Sequence, residues 1–169
     1  MAELAQASSS LSSFGSSNFD VFLSYKWEDT GNNFTSFLYK TLNDSGMNVF
    51  RDSKKLWLGD SIGPAIKRAI KGSKIWILVF SSGFAESQWC LWELALIVLC
   101  HRSNGGLILP IFCHVNPYDV QHQTGSRWRR AFQKHEKKFK PDIVKNWKNA
   151  LQLVGNLKGE ILDGTKEFF

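Results

Sequence analysis

Short apolar runs alternate with segments of helical period along this chain, and that alternation narrows its possible folds more than any other feature. "FDVFLS" (Phe19–Ser24), "MNVF" (Met47–Phe50), "KIWILVF" (Lys74–Phe80), "LILPIFC" (Leu107–Cys113) and "GEILD" near the end read as strands. Between the first two, Phe34, Phe37, Leu38 and Leu42 recur at helical spacing and stop at Gly46. Ile62, Ala65, Ile66, Ala69 and Ile70 do the same before Gly72, and further helices are expected over Ser87–Cys100, near Gly125–Phe139 and over Asp142–Gly155. Strand–helix alternation with short links requires parallel strands joined by right-handed crossovers. The expected class is therefore α/β, a flavodoxin-like open parallel five-stranded sheet with helices on both faces. The uninterrupted run Lys74–Phe80 suits a central strand covered on both sides, whereas Pro110 weakens its strand or marks an edge. Residues 1–18 are Ser-rich and aperiodic and are expected to form a flexible leader, with the domain over 19–163 and a tail at 164–169.

At 169 residues, with 43% hydrophobic and 14% aromatic side chains, the chain can bury a substantial single core. Its apolar runs are too short to span a membrane, and its first residues have neither the basic start nor the apolar centre of a secretory signal. The expected address is cytoplasmic, with the nucleus also open and no membrane partner. Cys90, Cys100 and Cys113 form no paired knuckle with His101 or His114 and read as buried thiols, so no metal site is expected. The net charge of +6 is concentrated in "RWRRAFQKHEKKFK" (Arg127–Lys140), where Trp128, Phe132 and His135 share one helix face. A solvated face with a thin apolar seam is preferred there over a nucleic-acid surface.

Several chemistries lose their support at once. There is no G-x-G-x-x-G, no phosphate-cradling P-loop and no G-x-S-x-G elbow. What stands out is a single carboxylate, Glu93, inside the apolar stretch "SQWCLWELALIVLC". On a helix it shares its face with Trp89 and Cys90 one turn before and with Leu96 and Ile97 one turn after. Such a group is either paired, with Lys26, Lys74 or Arg51 as the candidate cations, or it faces a cavity and acts there. Ligands of open α/β sheets bind beyond the carboxyl ends of the strands, here after Ser24, Phe50 and Phe80, and Glu93 follows the third of these closely. A lone anion suits one glycosidic cleavage well: when the leaving group is already cationic, as nicotinamide is in NAD, no general acid is needed and oxocarbenium-like charge can be stabilised directly. Asp29 and Thr30 read as helix N-cap residues in preference to substrate contacts. Ser81 and Ser82 read as turn residues that either line a pocket or have no further role, and Trp76, Trp92 and Trp147 as core.

"FDVFLSYKWEDT", "NFTSFLYKTL", "IGPAIKRAIKGSKIWILVFSSGFAESQWCLWEL", "ILPIFCHVNPYDVQHQTGS" and "NWKNALQLVGNLKG" occur in an order that resembles the plant-type TIR (Toll/interleukin receptor) domains of immune receptors and TIR-only proteins. That resemblance runs from Phe19 to about Gly159 and implies a self-associating domain that hydrolyses NAD or NADP, as substrate rather than cofactor. The products would be nicotinamide and ADP-ribose-type molecules, cyclised or not, that trigger defence and cell death. It implies Glu93 as the catalytic residue, and Lys26, Trp27, Leu58, Gly59, Ser82 and Trp89 around the substrate, with Ser53–Asp60 as a flanking loop. Self-association surfaces would involve Ser36, Phe37, Trp128 and Arg129. Lys26-Trp27 stands where the family has Arg-Gly, and Leu58-Gly59 where it has a cation before glycine. These departures make a catalytically weak TIR–TIR scaffold the alternative.

Overall fold

A computed structural model describes residues 19–52 and 62–163. Five parallel strands form one sheet: β1 (Val21–Tyr25), β2 (Val49–Arg51), β3 (Ile75–Phe80), β4 (Leu107–Cys113) and β5 (Glu160–Leu162), in the order β2-β1-β3-β4-β5. The helices are α1 (Phe34–Asp44), α2 (Pro64–Gly72), α3 (Gln88–Asn104), α4 (Pro117–His122), α5 (Ser126–Lys138) and α6 (Pro141–Gly155). A wide helical turn, Trp27–Gly31, precedes α1, and a tight one, Phe84–Glu86, precedes α3. The chain passes from one side of β1 to the other between β2 and β3, which creates a crevice at the carboxyl ends of β1 and β3.

The two-residue period of the strands sorts their side chains into two cores. Val21, Leu23 and Tyr25 point to one face with Ile77, Val79 and Ile111, where Phe34, Leu38, Tyr39 and Leu42 of α1 cover them. Phe22 points to the other with Leu78, Phe80 and Phe112, beneath α2, α3, α5 and α6. Ser24 shares the parity of Phe22, so a hydroxyl enters the face packed by α3, and it is fully buried.

Local signals set the element ends. Ser87 caps α3 by accepting from the Cys90 N–H at 3.3 Å, and Asn33, not Asp29 or Thr30, caps α1. Thr30 instead shares a 2.7 Å hydrogen bond with the Thr35 hydroxyl. Pro110 pairs in register with Leu78 of β3, but β5 joins only from Ile111 onward. The proline therefore lies where β4 is still an edge, as its missing N–H favours. The short helix α4 was not foreseen, although Asn116 accepting from the Tyr118 N–H with Pro117 at the first position is a regular start signal.

Candidate active site

α3 carries Cys90, Glu93, Leu94 and Ile97 along its inward face, which crosses the end of β1. Glu93 is 2% exposed, and the Ser24 hydroxyl donates to its carboxyl oxygen at 2.9 Å. One turn earlier, the Cys90 thiol donates to the Tyr25 carbonyl at 3.4 Å, fastening the helix to the strand end. The three cations weighed as partners for Glu93 lie as follows. Lys26 donates to Glu86 at 2.9 Å, and the Arg51 guanidinium lies 4.5 Å over the Tyr39 ring and 5.7 Å over that of Trp27. Lys74 is exposed next to the first residue of β3, at the amino ends of the strands and away from Glu93.

The surroundings of this carboxyl are dry. Burial pushes the Tyr25 phenol well above its ordinary range, with the nearby Asp52 and Glu93 adding to it against Arg51. Its hydroxyl donates to the Asp52 carbonyl at 3.0 Å, tying the end of β1 to the residue following β2. Burial also raises the Cys90 thiol, reinforced by Glu93, so this sulfur stays protonated and is no nucleophile. Cys100 and Cys113 are buried thiols raised by the same cause. Among the described residues no group of three or more His, Cys, Asp or Glu could hold a metal.

Around Glu93 the rim is built from the first βα turn, the loop after β3 and the start of α3. Trp27 is 37% exposed; its ring lies on Gly31, where an added Cβ would come within 2.5 Å of the indole, so the glycine is a seat for the tryptophan. Asp29 faces across the crevice rather than along its own helix: its carboxylate accepts from the Ser81 hydroxyl at 2.5 Å and the Gly83 N–H at 3.0 Å. Lys26 and Trp89 line one open cavity of about 360 Å³ with Glu28, Glu86, Ser87 and Gln88. Ser82 is exposed and accepts from Arg127 at 2.9 Å. Lys26, Trp27, Ser82, Trp89 and Glu93 thus all belong to the carboxyl end of the sheet, while Leu58 and Gly59 lie outside the described residues.

The remaining candidates are dispersed. Phe37 is 39% exposed on α1 beside the half-buried Ser36, and Arg129 is exposed on α5. Trp128, expected at a self-association surface, lies instead in the core at 3% exposure. Its spacing to Ala131, Phe132 and His135 puts all four on the inward face of α5, with the cations turned outward.

Ser24, Asp29, Glu86 and Arg127 were not picked out as site residues. Only Ser24 left a sequence signal, a polar residue at the parity of a buried strand face. Glu86 accepts from Arg127 through Nε at 2.7 Å and Nη2 at 2.8 Å as well as from Lys26. This fork, with Lys26 beside it, holds the Glu86 carboxyl down to about 2, well below the usual carboxylate range. Because the folded value is depressed, the network's contribution is complete above about pH 4.5 and is lost as pH falls through about 2. Glu86→Gln should therefore flatten the acid limb of a stability-versus-pH curve between those values. An unchanged limb by urea unfolding would show that the pairing is too solvated to matter.

A family model for the TIR domain matches residues 18–167. The chain belongs to the TIR domain family. Its relatives include TMV resistance protein N of Nicotiana glutinosa, 44% identical over 90% of this chain, and Disease resistance protein RPV1 of Vitis rotundifolia, 41% identical over 88%. The chain spans 13% and 10% of the lengths of those two proteins. Among solved structures, the TIR domains of the activated Roq1 resistosome, which directly recognises the pathogen effector XopQ, superpose with a TM-score of 0.78 at 36% identity. That match covers 87% of this chain and 89% of the other. The molecule is thus a plant-type TIR domain resembling those of disease-resistance proteins. Among the described residues of this TIR domain, no helix is long and apolar enough to cross a membrane.

Proposed function

We propose that this TIR domain self-associates and hydrolyses NAD or NADP to nicotinamide and an ADP-ribose-type product, as part of plant immune signalling that ends in defence and cell death. The observation that carries the reading is the buried Glu93 carboxyl at the end of β1, held by Ser24 and one helical turn from Trp89. In the proposed reaction the bond between the ribose and the nicotinamide nitrogen breaks, and its electron pair leaves with the neutral ring. Glu93 stabilises the positive charge developing on the ribose. Water, or a hydroxyl of the same substrate if the product is cyclised, completes the sugar and gives up its proton. Trp89 offers a flat face for an aromatic ring. Self-association is supported by the place of the similar TIR domains in a resistosome. The testing measurement is nicotinamide release from NAD by the concentrated domain. Release at high protein concentration supports the enzyme, and silence even under crowding overturns it.

A second reading, a TIR–TIR scaffold with weak catalysis, is favoured by one specific feature of the rim. Trp27, 37% exposed in the first βα turn where the family has glycine, has its ring seated on Gly31. If it obstructs substrate, Trp27→Gly should raise the rate of nicotinamide release by about fivefold, the equivalent of roughly 1 kcal/mol. A slower variant would make Trp27 part of the binding surface, and an unchanged one would remove it from both accounts.

A further inference from the structure

The side chain of Glu86 is the shared wall of two cavities. One is the open cavity beside Lys26 and Trp89. The other, about 400 Å³, is lined by Glu86, Arg127, Arg130, Ala131, Lys134 and His135. Arg127, Arg130 and Lys134 come from α5 at a spacing of three and four residues, which turns them to one side of the helix. With Lys26 they bring four cations toward the Glu86 carboxylate, and Glu28 and Asp29 flank the Lys26 side.

The way Glu86 is held has the geometry of an anion in a binding site. Arg127 grips it with two parallel N–H donors at 2.7 and 2.8 Å, and the Lys26 ammonium donates at 2.9 Å. The third edge of the guanidinium donates to the Ser82 hydroxyl at 2.9 Å, which fixes its plane. Gly83 leaves the room this requires: a Cβ there would lie 2.7 Å from Arg127 Nη2 and 2.8 Å from Lys26 Nζ. His135 backs the cavity; burial lowers its pKa, against the opposing effect of the 2.7 Å hydrogen bond between its Nε2 and the Ala85 carbonyl. A forked guanidinium with an adjacent ammonium fits a phosphate as well as a carboxylate.

We propose that Glu86 is an internal substitute anion, closing a cleft of Lys26, Arg127, Arg130 and Lys134 that binds the diphosphate of a nucleotide when Glu86 swings aside. The cleft has the volume of a nucleotide-sized site. The three acids near it disfavour a continuous nucleic-acid backbone. Opening the cleft frees Lys26 from Glu86, which links its occupancy to the rim of the candidate active site. The proposal goes beyond NAD cleavage and does not require Glu93 to act.

Inorganic pyrophosphate titrated into the whole domain by calorimetry tests it, because pyrophosphate binding is read without any turnover. Glu86→Gln should tighten binding about tenfold, the effect of about 1.4 kcal/mol from removing the competing charge. Glu136→Gln, which makes the same charge change on α5, at a residue paired with Lys148, should have no such effect. The double variant Arg130→Gln with Lys134→Gln, both exposed, should weaken binding at least as much. Unchanged affinity in Glu86→Gln, equal tightening by Glu136→Gln, or undiminished binding in the double variant overturns the proposal. Tighter binding of single-stranded oligonucleotide than of pyrophosphate overturns the small-ligand assignment. If Glu86→Gln fails to fold by circular dichroism, the exposed double variant decides alone.

Discussion

Nicotinamide release should fall by at least about 10²–10³-fold in Glu93→Gln, the scale seen when one preorganised electrostatic group is removed from an active site. The same loss is expected in Glu93→Ala. The pair separates charge from shape. Glutamine keeps the volume and an oxygen that can accept from Ser24 Oγ, so the fold should be as stable as the parent or slightly more so, since a buried ionisable group is replaced by a neutral one. Alanine leaves the Ser24 hydroxyl without that acceptor in a fully buried position, which costs about 1–3 kcal/mol. The two variants should therefore be equally inactive but unequally stable. Full activity in Glu93→Gln would show that the carboxylate is structural and would send the search for the catalytic group to the rest of the rim. Equal activity loss together with equal, large destabilisation of both variants would mean that activity disappeared with the fold.

The architecture was legible in the sequence because five apolar runs and the helical periods between them had only one economical arrangement. Leu107–Cys113 matches β4 at both ends. β1 and β2 each begin two residues later than their apolar runs, since pairing with neighbours rather than side-chain character sets strand ends. Glu93 was legible because a carboxylate is conspicuous on a helix with apolar residues on every side. Its partner Ser24 was not, although the alternation in "FDVFLS" places it beside Phe22 on the same face. The ionic cluster was beyond sequence reading altogether. Lys26, Glu86 and Arg127 lie on three separate elements, and nothing in a linear charge pattern says that the first βα turn, the turn before α3 and the start of α5 converge. Trp128 shows the opposite failure: a resemblance placed it at a surface, while the seam it forms with Phe132 and His135 already indicated burial. The same seam explains why the cations of α5 face outward.

Trp147→Ala should be the most destabilising single change in the described core. The ring is fully buried on α6 and meets three aromatic neighbours edge-on, Trp92 of α3 at 5.3 Å, His135 of α5 at 5.3 Å and Phe139 at 4.9 Å. Removing it takes away dispersion contacts from three helices at once and leaves a cavity that none of them can fill alone. The expected cost is about 3–5 kcal/mol, which is a large part of a typical total of roughly 5–15 kcal/mol. In a domain of this size that lowers the melting temperature by roughly 6–20 °C. Trp147→Phe should recover most of it, because the indole Nε1 makes no hydrogen bond and a phenyl ring therefore gives up area but no polar contact. The consequence reaches the candidate site. His135 stands between Trp147 and the Ala85 carbonyl, and Ala85 is followed directly by Glu86 and then by the Ser87 cap of α3. The alanine variant should therefore also blunt the acid-dependent contribution of Glu86, whereas the phenylalanine variant should preserve it. A melting shift below about 3 °C in Trp147→Ala would show that the aromatic cluster closes around the gap and that α6 is held to the domain by something else.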